Sequence, residues 1–185
     1  MRKLELLHRR ISRCRACAGI LPPRQLKPRS GFPPAGQYGI VVVGAEPGPS
    51  ATDRPTPQEY KQRFDPRVRG KRNTVRRLFR AMETAGIPFD DVFFTNAVKC
   101  CASHTQSRRC YRHCQAFLHQ QIDAVRPKVL IVFGRAANRL GLGSARKGEI
   151  RRTQYHGVPC LLVTHPQGAA DRYLKRVGWA VMKMT

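Results

Sequence analysis

Three side chains of different chemistry sit where apolar runs end. Glu46 lies in the turn Gly44-Ala45-Glu46-Pro47-Gly48 after the run YGIVVV, Asn96 closes Val92-Phe93-Phe94-Thr95, and His165 follows Leu161-Leu162-Val163-Thr164. A carboxylate can stabilise a cationic centre and orient a water molecule. An amide carries a donor group and an acceptor, so it can read a planar edge offering the complementary pair. A neutral imidazole can donate to an oxygen on which charge develops. Each has a plainer reading: a solvated turn carboxylate, an Asn closing a strand-to-loop turn, a turn histidine before a proline. Their shared placement at the ends of separate apolar runs favours one site.

A second constellation is made of thiols. Cys14 and Cys17 form a C-x-x-C pair, Cys100 and Cys101 follow Lys99, and Cys110 and Cys114 lie four apart in a helical pattern. A two-residue gap lets both sulfurs of a pair face one metal, so zinc or an iron–sulfur cluster could be held. Cys14, Cys17, Cys100 and Cys114 make four candidate ligands in two pieces. The choices between Cys100 and Cys101, and between Cys110 and Cys114, stay open. Cys160 lies inside an apolar run and reads as a small core residue. The seven cysteines are an odd number, and the N-terminal MRKLELLHRRISRC lacks the apolar core of a signal peptide. A reducing compartment is expected, cytoplasmic and nucleoid-associated, where metal ligation explains the thiols better than disulfides do.

These residues need elements to position them. Apolar runs at 38–43, 91–96, 129–133 and 159–163 read as buried strands. Between and around them, helical patterns cover 3–11, 73–85, 108–125, 135–140 and 171–182, with a short helix at 57–64. Residues 142–157 read as a basic loop, with at most a weak strand. Strands alternating with helices indicate a parallel sheet covered on both faces, and ligands of such sheets sit outside the carboxyl ends of the strands. Glu46, Asn96 and His165 all fall at that end. The whole chain, 1–185, is expected to be one domain, with a proline-rich N-terminal arm at 1–36.

Lys and Arg number 35 against 11 acids, a formal net charge of +24 in 185 residues, spread along the chain and interleaved with apolar runs. An anionic polymer is the expected partner, nucleic acid above all. No apolar run approaches the roughly 20 residues of a spanning helix, so no membrane is expected.

Taken in order, the pieces CRAC, VVVGAEPG, AGI before DVFFTNAVKC, Cys114-Gln115-Ala116-Phe117-Leu118, RPKVLIVFGRAA and VTHP resemble the iron–sulfur, family 4 branch of the uracil-DNA glycosylase superfamily over nearly the whole chain. The resemblance implies a three-layer α/β/α sandwich around a four-stranded parallel sheet. It implies a 4Fe-4S cluster on Cys14, Cys17, Cys100 and Cys114, with zinc as the alternative and Cys101 and Cys110 spare. It implies a monomeric base-excision repair enzyme acting on DNA containing uracil, with other deaminated bases as further candidate substrates, which flips the base out and hydrolyses its N-glycosidic bond to leave an abasic site. Asn96 would read uracil O4 and N3–H, His165 would donate to O2, and Glu46 would stabilise the sugar cation and orient water. Gly44 and Gly48 would let the backbone approach the ligand. Three segments depart from the family. Glu46 stands third in GAEPG, where the branch resembles GEAPG with its acid second. The stacking segment reads Arg63-Phe64-Asp65-Pro66, which leaves Phe64 as the candidate for stacking on the base. The run Arg69, Lys71, Arg72, Asn73 would face phosphates. The loop His165-Pro166-Gln167-Gly168 lacks a bulky apolar wedge. The alternative function is a glycosylase-like iron–sulfur nucleic-acid-binding protein with little or no turnover.

Overall fold

The computed structural model describes residues 2–33, 38–48, 56–68, 74–100 and 102–185. Five strands form one sheet: β1 (Ile40–Gly44), β2 (Val92–Asn96), β3 (Val129–Phe133), β4 (Ile150–Tyr155) and β5 (Val158–Val163), in the order β2-β1-β3-β5-β4. The first four in that order are parallel, and β4 runs antiparallel to β5. The helices are α1 (Arg2–Ser12), α2 (Pro57–Gln62), α3 (Thr74–Thr84), α4 (His104–Val125), α5 (Gly134–Arg139) and α6 (Asp171–Met182).

Every residue of β1, β2 and β3 is buried, as continuous apolar strands require when helices cover both faces. The alternation of side chains along β2 assigns the faces. Phe93 meets the His8 ring of α1 at 6.2 Å, while Phe94 meets Phe79 of α3 at 6.2 Å. On the α3 face the helix α6 comes close: a Cβ at Gly178 would lie 2.7 Å from the Ala81 carbonyl. The architecture is the α/β/α sandwich expected, with one strand more than the sequence reading counted.

The added strand is β4, in the segment read as a basic loop. Its alternation is carried by Arg151, Arg152, Thr153 and Gln154 rather than by apolar residues, which suits an edge strand that must not pair with another chain. A two-residue turn joins it to β5: His156 and Gly157 both take positive φ, 51° and 75°, the conformation of a tight hairpin.

The opposite edge, β2, is covered by the N-terminal arm. Arg29 N–H donates to the Lys99 carbonyl at 2.7 Å and Phe32 N–H to the Phe94 carbonyl at 3.0 Å. Between them Gly31 has φ 99°, and a Cβ there would lie 2.6 Å from the Phe94 carbonyl oxygen, so no other residue fits. The arm also buries His8, whose Nδ1 is 2.9 Å from Ser30 Oγ. Burial, reinforced by the Lys99 charge, lowers the His8 pKa from 6.5 to about 4. Between those values the unfolded chain binds the extra proton, so stability is fullest above pH 6.5 and falls as pH drops toward 4. The loss amounts to about 3 kcal/mol. Urea midpoints across this window should fall in the wild type and fall less in His8→Gln; parallel slopes would count against a buried neutral His8.

Candidate active site

The carboxyl ends of β1 and β2 are zipped together beyond the strands themselves. Ala97 N–H donates to the Gly44 carbonyl and Val98 N–H to the Ala45 carbonyl, both at 2.8 Å. Asn96 lies opposite Gly44 and is 3% exposed. A side chain at Gly44 would collide with Asn96 Oδ1. Gly44 is therefore needed to make room for the amide itself. Asn96 Nδ2 donates to Tyr60 Oη at 3.2 Å. A buried amide bonded to Tyr60 on one side and packed closely against Gly44 on the other is oriented before any ligand arrives.

Tyr60 lies on α2, a helix set by a capping box in which Thr56 Oγ1 accepts from Glu59 N–H and the Glu59 carboxylate returns to Thr56 N–H. Its ring packs in an aromatic group with Phe64 at 5.0 Å, and Phe64 lies 4.9 Å from Phe94. Phe64 is half-buried on this group, beside the amide's supports. Tyr60 did not stand out in the sequence, though Thr56-x-x-Glu59 signals the helix that carries it. Arg69, Lys71, Arg72, Asn73 and Cys101 lie outside the described residues.

Glu46 occupies the turn after β1. Its Oε1 is 3.3 Å from Arg135 Nη2, and its Oε2 accepts from Ser107 Oγ at 3.2 Å. Ser107 is buried on α4 and in turn accepts from Arg139 Nε at 3.1 Å. The carboxylate is thus tied to α4 and α5 through two side chains that sequence reasoning missed, Arg135 and Ser107. The helix α4 starts four residues earlier than its apolar pattern indicates. Ser103 and Gln106 cap it reciprocally, and that spacing was the available signal.

His165 follows β5, across β3 from Glu46. Its Nδ1 accepts from Gln167 N–H at 3.2 Å. In the neutral ring this leaves Nε2 as the donor. Its ring meets Phe133 edge-on, with centroids 5.3 Å apart. Desolvation, then the Arg135 charge, lowers its pKa, so the neutral donor form is favoured near neutral pH. Arg135 therefore acts on both Glu46 and His165. The three strand-end residues share one end of the sheet, as the sequence pattern requires. Gly48 is exposed beside them.

Lys99 is 1% exposed and joins this site to the thiols. Its Nζ donates to Thr95 Oγ1 at 2.9 Å, to the Asn96 carbonyl at 2.6 Å and to Gln121 Oε1 at 2.6 Å. Its three donors meet three acceptors. Burial pulls its pKa down to about 7, with Cys114 opposing. The Lys99 N–H also donates to Cys114 Sγ at 3.4 Å.

Cys17, Cys100, Cys110 and Cys114 share a buried patch with Leu21, Leu26 and Val98, and Cys14 stands half-exposed. Among the described residues no three donors stand in metal-holding geometry. The chemistry of the set nevertheless fits a thiophilic centre. Burial raises Cys100 to about 12, and the nearby Cys114, Cys17 and Cys14 add to it. Such thiols stay protonated unless a cation replaces the protons. A backbone N–H directed at Cys114 sulfur is the kind of outer-shell contact that steadies a ligating thiolate. Cys160 is fully buried within β5, a core residue as expected.

The uracil DNA glycosylase superfamily model matches residues 30–183. The chain belongs to the uracil-DNA glycosylase superfamily. It is 26% identical over 163 residues to the type-4 uracil-DNA glycosylase of Pyrobaculum aerophilum, covering 83% of this chain and 74% of that relative. Membership in this superfamily makes the sheet-end mouth the place to look for DNA glycosylase chemistry. Among the described residues no helix is long and apolar enough to cross a membrane.

Proposed function

We propose that this superfamily member excises uracil from DNA as a monomer, leaving an abasic site. The observation that carries the reading is the buried Asn96 amide, cleared by Gly44 and held by Tyr60, at the same sheet end as Glu46 and His165. An extrahelical uracil presents O4 and N3–H to that amide, which reads them as a complementary pair. Phe64 supplies an aromatic surface next to the reader. The C1′–N1 bond breaks with its electron pair moving onto the base, mainly to O2, where His165 Nε2–H donates. Water adds to C1′ beside Glu46 and releases its proton, and the base leaves protonated. Cytoplasmic DNA is the expected substrate.

The thiols Cys14, Cys17, Cys100 and Cys114 would hold a 4Fe-4S cluster, with zinc as the alternative. Bound there, such a group supplies a structural cross-link between the arm and the 97–100 turn rather than a step at the base. Cys110, on the same buried patch, is the competitor for the fourth place. Iron per protein should drop by half or more in Cys14→Ala and stay unchanged in Cys110→Ala, by iron assay. The reverse ranking would reassign the ligand.

Both Glu46 oxygens are already engaged, by Arg135 and by Ser107. That observation favours, as a second reading, a nucleic-acid-binding protein of this fold with little turnover. Chromatographic detection of free uracil separates the two. Release from a uracil-containing oligonucleotide supports excision, and a stable complex with the base still attached supports the second reading.

A further inference from the structure

His165 is exposed at the mouth, so packing alone does not fix its ring, and the turn that carries it must. That turn is short. Pro166–Gly168 forms a single 3-10 turn, in which Gly168 N–H donates to the His165 carbonyl at 3.3 Å and Ala169 N–H to the Pro166 carbonyl at 3.2 Å. Gln167 N–H, in its middle, is the donor to His165 Nδ1. Which nitrogen of the ring keeps its proton therefore depends on where this piece of backbone sits.

Side chains from two helices hold the segment on either side of His165. Before it, Tyr173 Oη of α6 accepts from Thr164 N–H at 2.9 Å and donates to the Glu149 carbonyl at 2.8 Å. After it, Arg77 reaches across from α3. Its Nη1 donates to the Pro166 carbonyl at 3.4 Å and its Nη2 to the Ala169 carbonyl at 2.9 Å. Asp171 Oδ1, on the first residue of α6, accepts from Nη2 at 2.6 Å and from Nε at 3.1 Å. One guanidinium thus spans both ends of the turn. The task needs its planar fork of donors, which an ammonium on a flexible stem does not reproduce. The ion pair itself adds little stability, since the Asp171 side chain is 77% exposed; its use is to keep the guanidinium over the turn. We propose that Arg77 is a positioning residue for His165: by pinning the two carbonyls that bracket the turn, it holds Gln167 N–H against Nδ1 and so keeps Nε2–H as the donor presented to the base. The inference deepens the proposed function and rests on its assignment of His165 as the donor to O2. A small slip of the turn is enough to matter, because misplacing a catalytic group by about 1 Å can cost about 10²-fold in rate.

The test pairs a spectrum with a rate. Protein labelled with nitrogen-15 in its histidines is observed at about pH 8, above the ordinary histidine range, and His165 is assigned by the signals lost in His165→Gln. Wild type should show Nδ1 unprotonated and Nε2 protonated. Arg77→Lys keeps the charge and drops the fork. In it the two nitrogen shifts of His165 should move toward each other, as the tautomers mix. Single-turnover excision should slow about tenfold, with affinity for the uracil-containing oligonucleotide within about twofold of wild type. In a His165→Ala background the same change should cost less than about twofold, because its effect passes through the imidazole. Asp171→Asn, which loosens the guanidinium without altering α3, should move both readouts the same way by a smaller factor, and decides the matter if Arg77→Lys does not fold. Wild-type nitrogen shifts in the folded variants overturn the proposal. So does a tenfold loss that persists undiminished in the His165→Ala background, since Arg77 would then act on the fold or on the DNA. Converging shifts in a protein that releases no uracil leave the hold on His165 standing and sink only the excision reading.

Discussion

Asn96→Ala lowers single-turnover uracil excision by about 10²–10³-fold, and His165→Ala does so by a similar factor, while both variants remain folded. The size follows from what each group does. Removing a preorganised donor at a developing oxyanion loses about 3–4 kcal/mol of transition-state stabilisation. Asn96 contributes through recognition as well, because a site built to pair with a polar edge loses both members of the pair at once. The two effects have different signatures. Asn96→Ala should also weaken binding of the uracil base, whereas His165→Ala should act mainly on the chemical step. Tyr60→Phe grades the first effect. It removes only the hydroxyl 3.2 Å from Asn96 Nδ2, worth about 1 kcal/mol, or roughly fivefold in rate. Rapid-quench kinetics on one oligonucleotide measures all three. A Tyr60→Phe rate as low as that of Asn96→Ala would mean that the hydroxyl itself meets the substrate.

The second large effect belongs to Lys99. Lys99→Met keeps the volume of the chain but deletes three donors, leaving the Asn96 carbonyl without its lysine partner and Thr95 Oγ1 and Gln121 Oε1 with only their mutual hydrogen bond at 3.0 Å in place of the ammonium. Each such group costs about 1–3 kcal/mol, and the sum is less than additive because the three share one pocket. A loss of about 3 kcal/mol or more in urea unfolding is expected. Excision should fall at least tenfold in the fraction that remains folded, since the Asn96 backbone is one of the groups released. Gln121→Leu provides the comparison: it removes one acceptor and also frees the Ser30 carbonyl that Gln121 Nε2 engages. If Lys99→Met were as stable as wild type, the three hydrogen bonds would contribute nothing net, and the coupling between base reader and thiol patch would lose its physical basis.

The parts of this design that were legible in the sequence share one property: they depend on neighbours in the chain. The runs IVVVG, VFFTN and VLIVF announce buried strands because they are apolar along most of their length, as strands covered by helices on both faces are. Asn96 and His165 stand out because they end such runs. What was not legible depends on distant partners. Strand β4 hides behind Arg151 and Arg152, whose charges are tolerated only because the strand is an edge. Tyr60 sits in a polar segment, and its hydroxyl gains meaning only when α2 lies over the end of β2. Lys99 reads as one more cation in a chain of +24. Its burial is possible because Thr95 and Gln121, 26 residues apart, converge on it. Arg135 and Ser107 likewise reach Glu46 only through the packing of α4 and α5.

The arrangement around Glu46 is where the family resemblance and the geometry need each other most. The acid stands third in its motif, and its two oxygens are shared between a cation and a hydroxyl. This carboxylate, with Asn96 and His165, is nevertheless expected to turn uracil over. The most direct test is a duplex with one labelled uracil, incubated with the purified protein and then heated in alkali. Cleavage at the uracil position is expected with wild type, at a rate that Asn96→Ala lowers by about 10²–10³-fold. A wild type that binds the duplex but leaves it intact in alkali would contradict this expectation.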